Sequence, residues 1–217
     1  MVVLPPGSLP GLNKKQISVN ARQHNILSAY LVCKFKGVSP GFAGDIDRVE
    51  DLSGKEVAQR LYQYSVLGAE TIRTHIQDFA PHCLMGEGKY SVSRYPAAKS
   101  MQRTADRLTQ DFNDPVEYLD AAVMRSRINT DRYFQGIFKP RGFQIHPLNY
   151  AIALAEKIVG SGERIFENTP AVSLETNNDS GLHSVHTSSG IVQAEHIVLC
   201  TSAYDNGLYG PLKSAVL

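Results

Sequence analysis

The chain has 217 residues, 42% of them hydrophobic, and a formal charge of +1 from 22 basic and 21 acidic side chains. That is enough apolar material for a core and too even a charge balance to attract nucleic acid or an anionic membrane surface. No apolar run reaches the roughly 18 residues of a membrane span, and the opening Met1–Gly11 carries three prolines and no basic start, which argues against a signal peptide.

Residues 1–36 show no periodicity, although the apolar run from Ile26 to Val32 is long enough for a strand or a short buried helix. Residues 37–44, rich in Gly and Pro, read as a loop. Ser53-Gly54-Lys55-Glu56 fits a capping box, so a long helix is expected to follow. Val57, Leu61, Tyr64, Gly68, Ile72, Ile76 and Phe79 would form its inner stripe before Pro81 ends it. Tyr90–Val92 reads as a strand. Ala97–Phe112 reads as a helix with Met101, Ala105 and Leu108 on one side, and Asp114-Pro115-Val116-Glu117 as the start of a third helix ending near Arg127, with Asp114 as its N-cap.

From Gln135 onward the pattern changes. Gln135–Phe138 is an expected strand, and His146-Pro147 opens a helix through Val159 with Leu148, Ala151, Ile152, Ala155 and Ile158 inward, closed by Gly160 and Gly162. Arg164–Glu167 follows as a strand, so strand, helix and strand read as a βαβ unit with parallel strands. Ala171–Thr176, Gly181–Thr187 and Ile191–Ala194 read as an antiparallel meander with a turn at Ser188-Ser189-Gly190. His196–Thr201 is expected as a buried strand parallel to Arg164–Glu167. The class is therefore mixed α/β.

The dinucleotide-gripping pattern G-x-G-x-x-G is absent: Gly86-x-Gly88 is followed by Ser91 and Gly160-x-Gly162 by Ile165 where the third glycine belongs, so both read as turns. A P-loop and a G-x-S-x-G elbow are also missing from the sequence. His183 and His186, three apart on an expected strand, point to opposite faces, which argues against a metal site. His82-Cys83 is a pair without a partner motif, and Asn178-Asp179-Ser180 is a glycosylation pattern short enough to be incidental. His146 stands between a strand end and a helix start, where doubly wound folds bind ligands, and equally where a helix is capped. The three cysteines, Cys33, Cys83 and Cys200, are odd in number and widely spaced, which points to free thiols and a cytoplasmic setting, with Cys200 the least reactive on its buried strand.

Three stretches carry a resemblance: Val38-Ser39-Pro40-Gly41-Phe42, Phe143-Gln144-Ile145-His146-Pro147-Leu148-Asn149-Tyr150-Ala151, and Val198-Leu199-Cys200-Thr201-Ser202-Ala203-Tyr204. Together, and in this order, they resemble the D-amino-acid-oxidase-type superfamily of FAD-dependent oxidoreductases, on the branch that contains gamma-glutamylputrescine oxidoreductase. The resemblance runs from about Gly37 to the C-terminus and leaves 1–36 unmatched. It implies a largely helical portion of a substrate domain over 37–134, and over 135–217 part of a doubly wound FAD-binding sheet with its βαβ unit and meander. It also implies FAD as cofactor, a small-molecule amine as substrate, Val172 beside the adenine, Thr201, Ser202 and Ala203 near the diphosphate, and His146 and Tyr204 as weak candidates for the flavin side. The family's N-terminal glycine turn is missing, as are its later C-terminal segments, so the chain reads as a central fragment. The rival expectation is a non-catalytic remnant or interaction module that binds no flavin and self-associates through exposed sheet edges.

Overall fold

The structure, a computed structural model, describes residues 2–4, 17–19, 36–42, 46–177, 181–201 and 207–210. The expected element at 26–32, as well as Cys33, Ser202, Ala203 and Tyr204, lies outside them. The chain divides into two compact units, residues 31–151 and residues 1–30 with 152–217. Its class is mixed α/β with antiparallel sheets, as the sequence indicates.

Before the first unit come two short strands of the other one, β1 (Val2–Leu4) and β2 (Ile17–Val19). The unit 31–151 then holds β3 (Lys36–Val38), α1 (Ile46–Ser53), α2 (Lys55–Phe79), a 3-10 turn at Pro81–Cys83, β4 (Leu84–Ser93), α3 (Ala98–Phe112), β5 (Glu117–Leu119), α4 (Ala121–Arg127) and β6 (Gln135–Ile145). β6 is the organising strand: it pairs antiparallel with β3, β4 and β5. Its 11 residues run well past the four expected, because Phe143 and Ile145 find a buried face against Ala69 and Ile76 of α2. A second cluster joins Ala58 and Tyr62 of α2 to Leu108 and Phe112 of α3. Full burial of side chains such as Phe112 and Phe143 contributes about 1.5–3 kcal/mol each.

Three local expectations for this unit are corrected. The capping box does not form: Ser53 ends α1, its hydroxyl donates to the Val49 carbonyl at 2.7 Å, and Gly54 at φ 81 stands at the start of α2 with no side-chain cap. Residues 46–53 are helical in their own right because Ile46 and Val49 pack on the Ala58–Tyr62 cluster. Of the expected inner stripe of α2, Ile76 is buried and Ile72 packs on the Ala69–Ile76 cluster, but the rest of the inner face is Ala58, Tyr62 and Ala69, while Val57 and Tyr64 are 42% and 63% exposed. Both stripes have helical spacing, and the alanine-bearing one allows closer approach of neighbouring backbone. Asp114 caps no helix; residues 117–119 extend as β5, and Asp120 caps α4 by accepting from the Val123 N–H at 2.9 Å.

Helix α5 (Pro147–Gly160) begins where the sequence places it, and its fully buried residue is Ala153 whereas Ile152 is exposed. The other unit continues with β7 (Arg164–Phe166), β8 (Ala171–Glu175), β9 (His183–Thr187), β10 (Gly190–Ala194) and β11 (His196–Val198). The antiparallel meander β8–β9–β10 is present with the expected turn, around a core of Val185 and Ala194. The order strand, helix, strand at 135–166 is also present, but it is not a crossover within one sheet. β7 lies in a four-stranded sheet of order β11-β1-β2-β7 and β6 in another, and the parallel neighbour of β7 is β2.

β11 is antiparallel to β1, β1 antiparallel to β2 and β2 parallel to β7, so β11 and β7 do run the same way. Among the described strands β11 is nevertheless at the edge of its sheet with Val198 exposed, and the expectation of a buried strand fails. With it fails the ranking of thiols: Cys200 is exposed and Cys83 is buried, and both are free. No described helix is long and apolar enough to cross a membrane.

Candidate functional site

His146 joins β6 to α5. Its backbone N–H donates to the Cys83 carbonyl at 2.9 Å, tying the junction to the turn before β4, and its carbonyl accepts from the Tyr150 N–H at 3.0 Å as the first bond of the helix. The ring Nδ1 accepts from the Asn149 N–H at 3.2 Å. His146 is therefore a helix N-cap, with Nδ1 satisfying an orphan amide of the first turn. One turn into α5, the Tyr150 hydroxyl lies 2.9 Å from Nδ1 of His75, and the two rings stack at 6.4 Å. Burial, then the neighbouring Cys83, pushes the Tyr150 phenol up, and burial does the same to the Cys83 thiol.

Val172 sits in β8 at a break in the ladder. Ala171 pairs with Thr187 and Ser173 with His186, so Val172 is skipped, and its side chain is 63% exposed. A bulge of this kind takes one residue's backbone off the ladder and re-aims its side chain, which a backbone contact to a ligand requires. Thr201 is half-buried beyond β11. In β9, His183 Nδ1 accepts from the Asn177 N–H at 3.3 Å, and His186 Nε2 lies 3.2 Å from the Glu175 carboxylate. Gly86 and Gly88 stand in β4 at register shifts rather than in turns.

A polar cluster in the unit 31–151 escaped the sequence reading. The Tyr62 hydroxyl donates to Asp114 Oδ2 at 2.6 Å, and Asp114 is 0% exposed. Asp114 Oδ1 accepts no hydrogen bond among the described residues; Arg141 lies 3.6 Å from it and donates instead to the Asn113 carbonyl at 2.9 Å. Burial, followed by the hydrogen bond to Asp114, drives the Tyr62 phenol far above its ordinary range. Lys139, two residues from Arg141, is pushed down by burial, against the pull of Asp114 and with the push of Lys89. The cluster links residues 52 apart in sequence, α2 to the segment after α3, and no local motif announces it.

The family model for FAD dependent oxidoreductases designated DAO matches residues 25–215. The chain belongs to this family. The match begins before Gly37, the first residue of the resemblance seen in the sequence. Gamma-glutamylputrescine oxidoreductase of Escherichia coli (strain K12) is 27% identical over 164 residues, which is 75% of this chain and 38% of that protein. The probable oxidoreductase OrdL of Haemophilus influenzae (strain ATCC 51907 / DSM 11121 / KW20 / Rd) is 26% identical over 172 residues, 76% of this chain and 38% of its own. The chain thus spans about 38% of the length of these relatives. Among solved structures, glycine oxidase from Bacillus cereus ATCC 14579 aligns at a TM-score of 0.53 and 18% identity over 79% of this chain and 45% of its own. NikD, an unusual amino acid oxidase, aligns at 0.55 and 17% over 82% of this chain and 43% of its own. At such identities the likeness concerns the fold.

FAD is the cofactor of this family, and the residues present suit its ends unequally. Val172, off the ladder and exposed, suits a flat apolar ring edge. A diphosphate requires several backbone amides converging at a helix start behind a glycine turn, and the sequence has no G-x-G-x-x-G to make one.

Proposed function

We propose that this chain corresponds to a portion of an FAD-dependent enzyme that oxidises an amine or amino-acid-like small molecule, in the manner named for gamma-glutamylputrescine oxidoreductase. The observation that carries the reading is the family match over residues 25–215, together with a fold shared with amino-acid oxidases. In this reading the backbone of Val172 meets the adenine side of FAD, Thr201, Ser202 and Ala203 run beside the diphosphate, and His146 and Tyr204 stand toward the flavin. The helical segment 53–127 covers the substrate, and the protein is cytoplasmic. FAD supplies the redox chemistry; this chain supplies positioning, shape and exclusion of water.

One observation favours a second reading, a remnant that keeps the fold without flavin: the missing glycine turn. The test joins an N-terminal strand, glycine turn and helix, and a C-terminal flavin segment, from a relative to residues 25–215. Amine-dependent bleaching of bound flavin under anaerobic conditions is expected, and weaker bleaching when Val172 is replaced by Pro. A yellow chimera that no amine or amino acid bleaches would refute the oxidase reading, and a folded chimera that stays colourless would leave the remnant.

A further inference from the structure

Lys89 of β4 and Lys139 of β6 are paired directly across the antiparallel ladder. Residues so placed share one face of the sheet with Cβ atoms about 4.5–5.5 Å apart, and like charges there are destabilising. The fold does little to relieve them. Lys89 Nζ donates to the Ser39 hydroxyl at 3.1 Å, and the side chain of half-buried Lys139 makes no hydrogen bond or ion pair with another described residue. The acids nearby are engaged: Glu87 is held by Arg73 at 2.8 Å, and Asp114 is buried between the Tyr62 hydroxyl and Arg141. The backbone holds the two lysines close. Between the pairs Glu87–Phe143 and Lys89–Lys139, β6 advances by four residues while β4 advances by two, so Pro140, Arg141 and Gly142 form a bulge. A Cβ at Gly142 would lie 2.7 Å from Lys89 Cβ, so the glycine is what lets the Lys89 stem lie along β6.

We propose that Lys89 and Lys139, with the Ser39 hydroxyl beside them, form a binding site for a carboxylate group, the anionic end of the small amine substrate. The last clause rests on the functional reading above; the carboxylate site does not. The ammonium groups of two lysines paired across a ladder can each donate to one oxygen of a carboxylate, and charge-assisted bonds of this kind are the strong ones. The Ser39 oxygen already accepts from Lys89, which leaves its proton free to donate. A monoanion fits better than a doubly charged phosphate, because the buried Asp114 charge lies within the field felt by Lys139. Removing the water around a half-buried ammonium has already been done by the fold, so the incoming anion gains more from it than from an exposed lysine.

The test uses the full 217-residue chain with isotope-labelled amides. It is titrated with sodium acetate and separately with inorganic phosphate, each against sodium chloride at matched ionic strength. Acetate is expected to shift the Gly88, Lys139 and Gly142 amides saturably. Lys139→Gln and Lys89→Gln should each weaken it by about tenfold or more, and Lys157→Gln on α5 should leave it unchanged. Both lysine variants remove a like-charge repulsion and should fold at least as well as the parent. Shifts that do not saturate, that survive either substitution, or that phosphate produces more strongly than acetate would overturn the assignment. The readout needs no flavin: acetate binding without amine oxidation in the chimera counts against the functional reading alone, and amine oxidation without acetate binding counts against this site alone.

Discussion

Asp114 is the residue on which the unit 31–151 turns. A carboxylate with no exposure is stable only where donors replace its water, and here Tyr62 gives one short bond at 2.6 Å while Arg141 stands off at 3.6 Å from the other oxygen. Replacing Tyr62 by Phe keeps the ring, with its tilted packing on Phe112 at 5.0 Å, and removes only the hydroxyl. The loss should then be electrostatic: about 1.5–3 kcal/mol in urea unfolding, the range for a hydrogen bond to a charged group, with an unchanged slope. Tyr62→Phe combined with Asp114→Asn should fall short of the sum of the two, since the second change removes the charge that the first leaves unsatisfied. Additive effects would show that the pair is not coupled. The sequence reading placed neither residue correctly, Tyr62 because it lies one position off the stripe that the larger apolar residues mark. Asp114 followed by Pro looks like a cap, and its real partner is 52 residues away.

At the scale of elements, what the sequence shows best is what local chemistry alone decides. The ends of α2 before Pro81, the His146-Pro147 start of α5 and the meander with its Ser188-Ser189 turn all follow from dihedral preference and alternation. β5 and the second half of β6 do not, because β5 is a strand only through pairing with the first residues of β6, and the second half of β6 only through pairing with β3 and β4. The same holds for Gly88, which looks like half of a turn and is the yielding point of β4. Its φ is +77, and an added Cβ would clash with Cε2 and Cζ of the Phe138 ring. Gly88→Ala should therefore be strongly destabilising, by more than the roughly 1 kcal/mol of an unstrained Gly-to-Ala change taken with opposite sign. In the background of Phe138→Ala the steric part should disappear while the positive-φ part remains, so a double-mutant cycle in denaturant separates them. If Gly88→Ala costs nothing in either background, the bulge is not where the register places it.

At the scale of the whole molecule the family was legible and the sheet arrangement was not: which strands share a sheet depends on contacts between segments as remote as 17–19 and 164–166. The same distinction governs cofactor affinity. FAD is large, flexible and carries a diphosphate, so tight binding has to offset both the ordering of the ligand and the desolvation of its charge. The adenine side can be met by one bulged strand residue, Val172, through backbone contact and a little apolar area. The diphosphate needs several amides at once, converging at a helix N-terminus that a glycine turn lets approach closely. The sequence has no G-x-G-x-x-G pattern to make such a turn. Purified alone, the chain should consequently be colourless, with no flavin absorbance after extensive dialysis, and added FAD should not raise its melting temperature at micromolar concentrations, since a ligand stabilises only as its concentration exceeds the dissociation constant. Adenosine at millimolar concentration should still perturb residues 171–173, because that contact asks nothing of the missing turn. Copurification of stoichiometric flavin would mean that the diphosphate is held by amides outside the described residues, and that the glycine pattern is not what this chain uses.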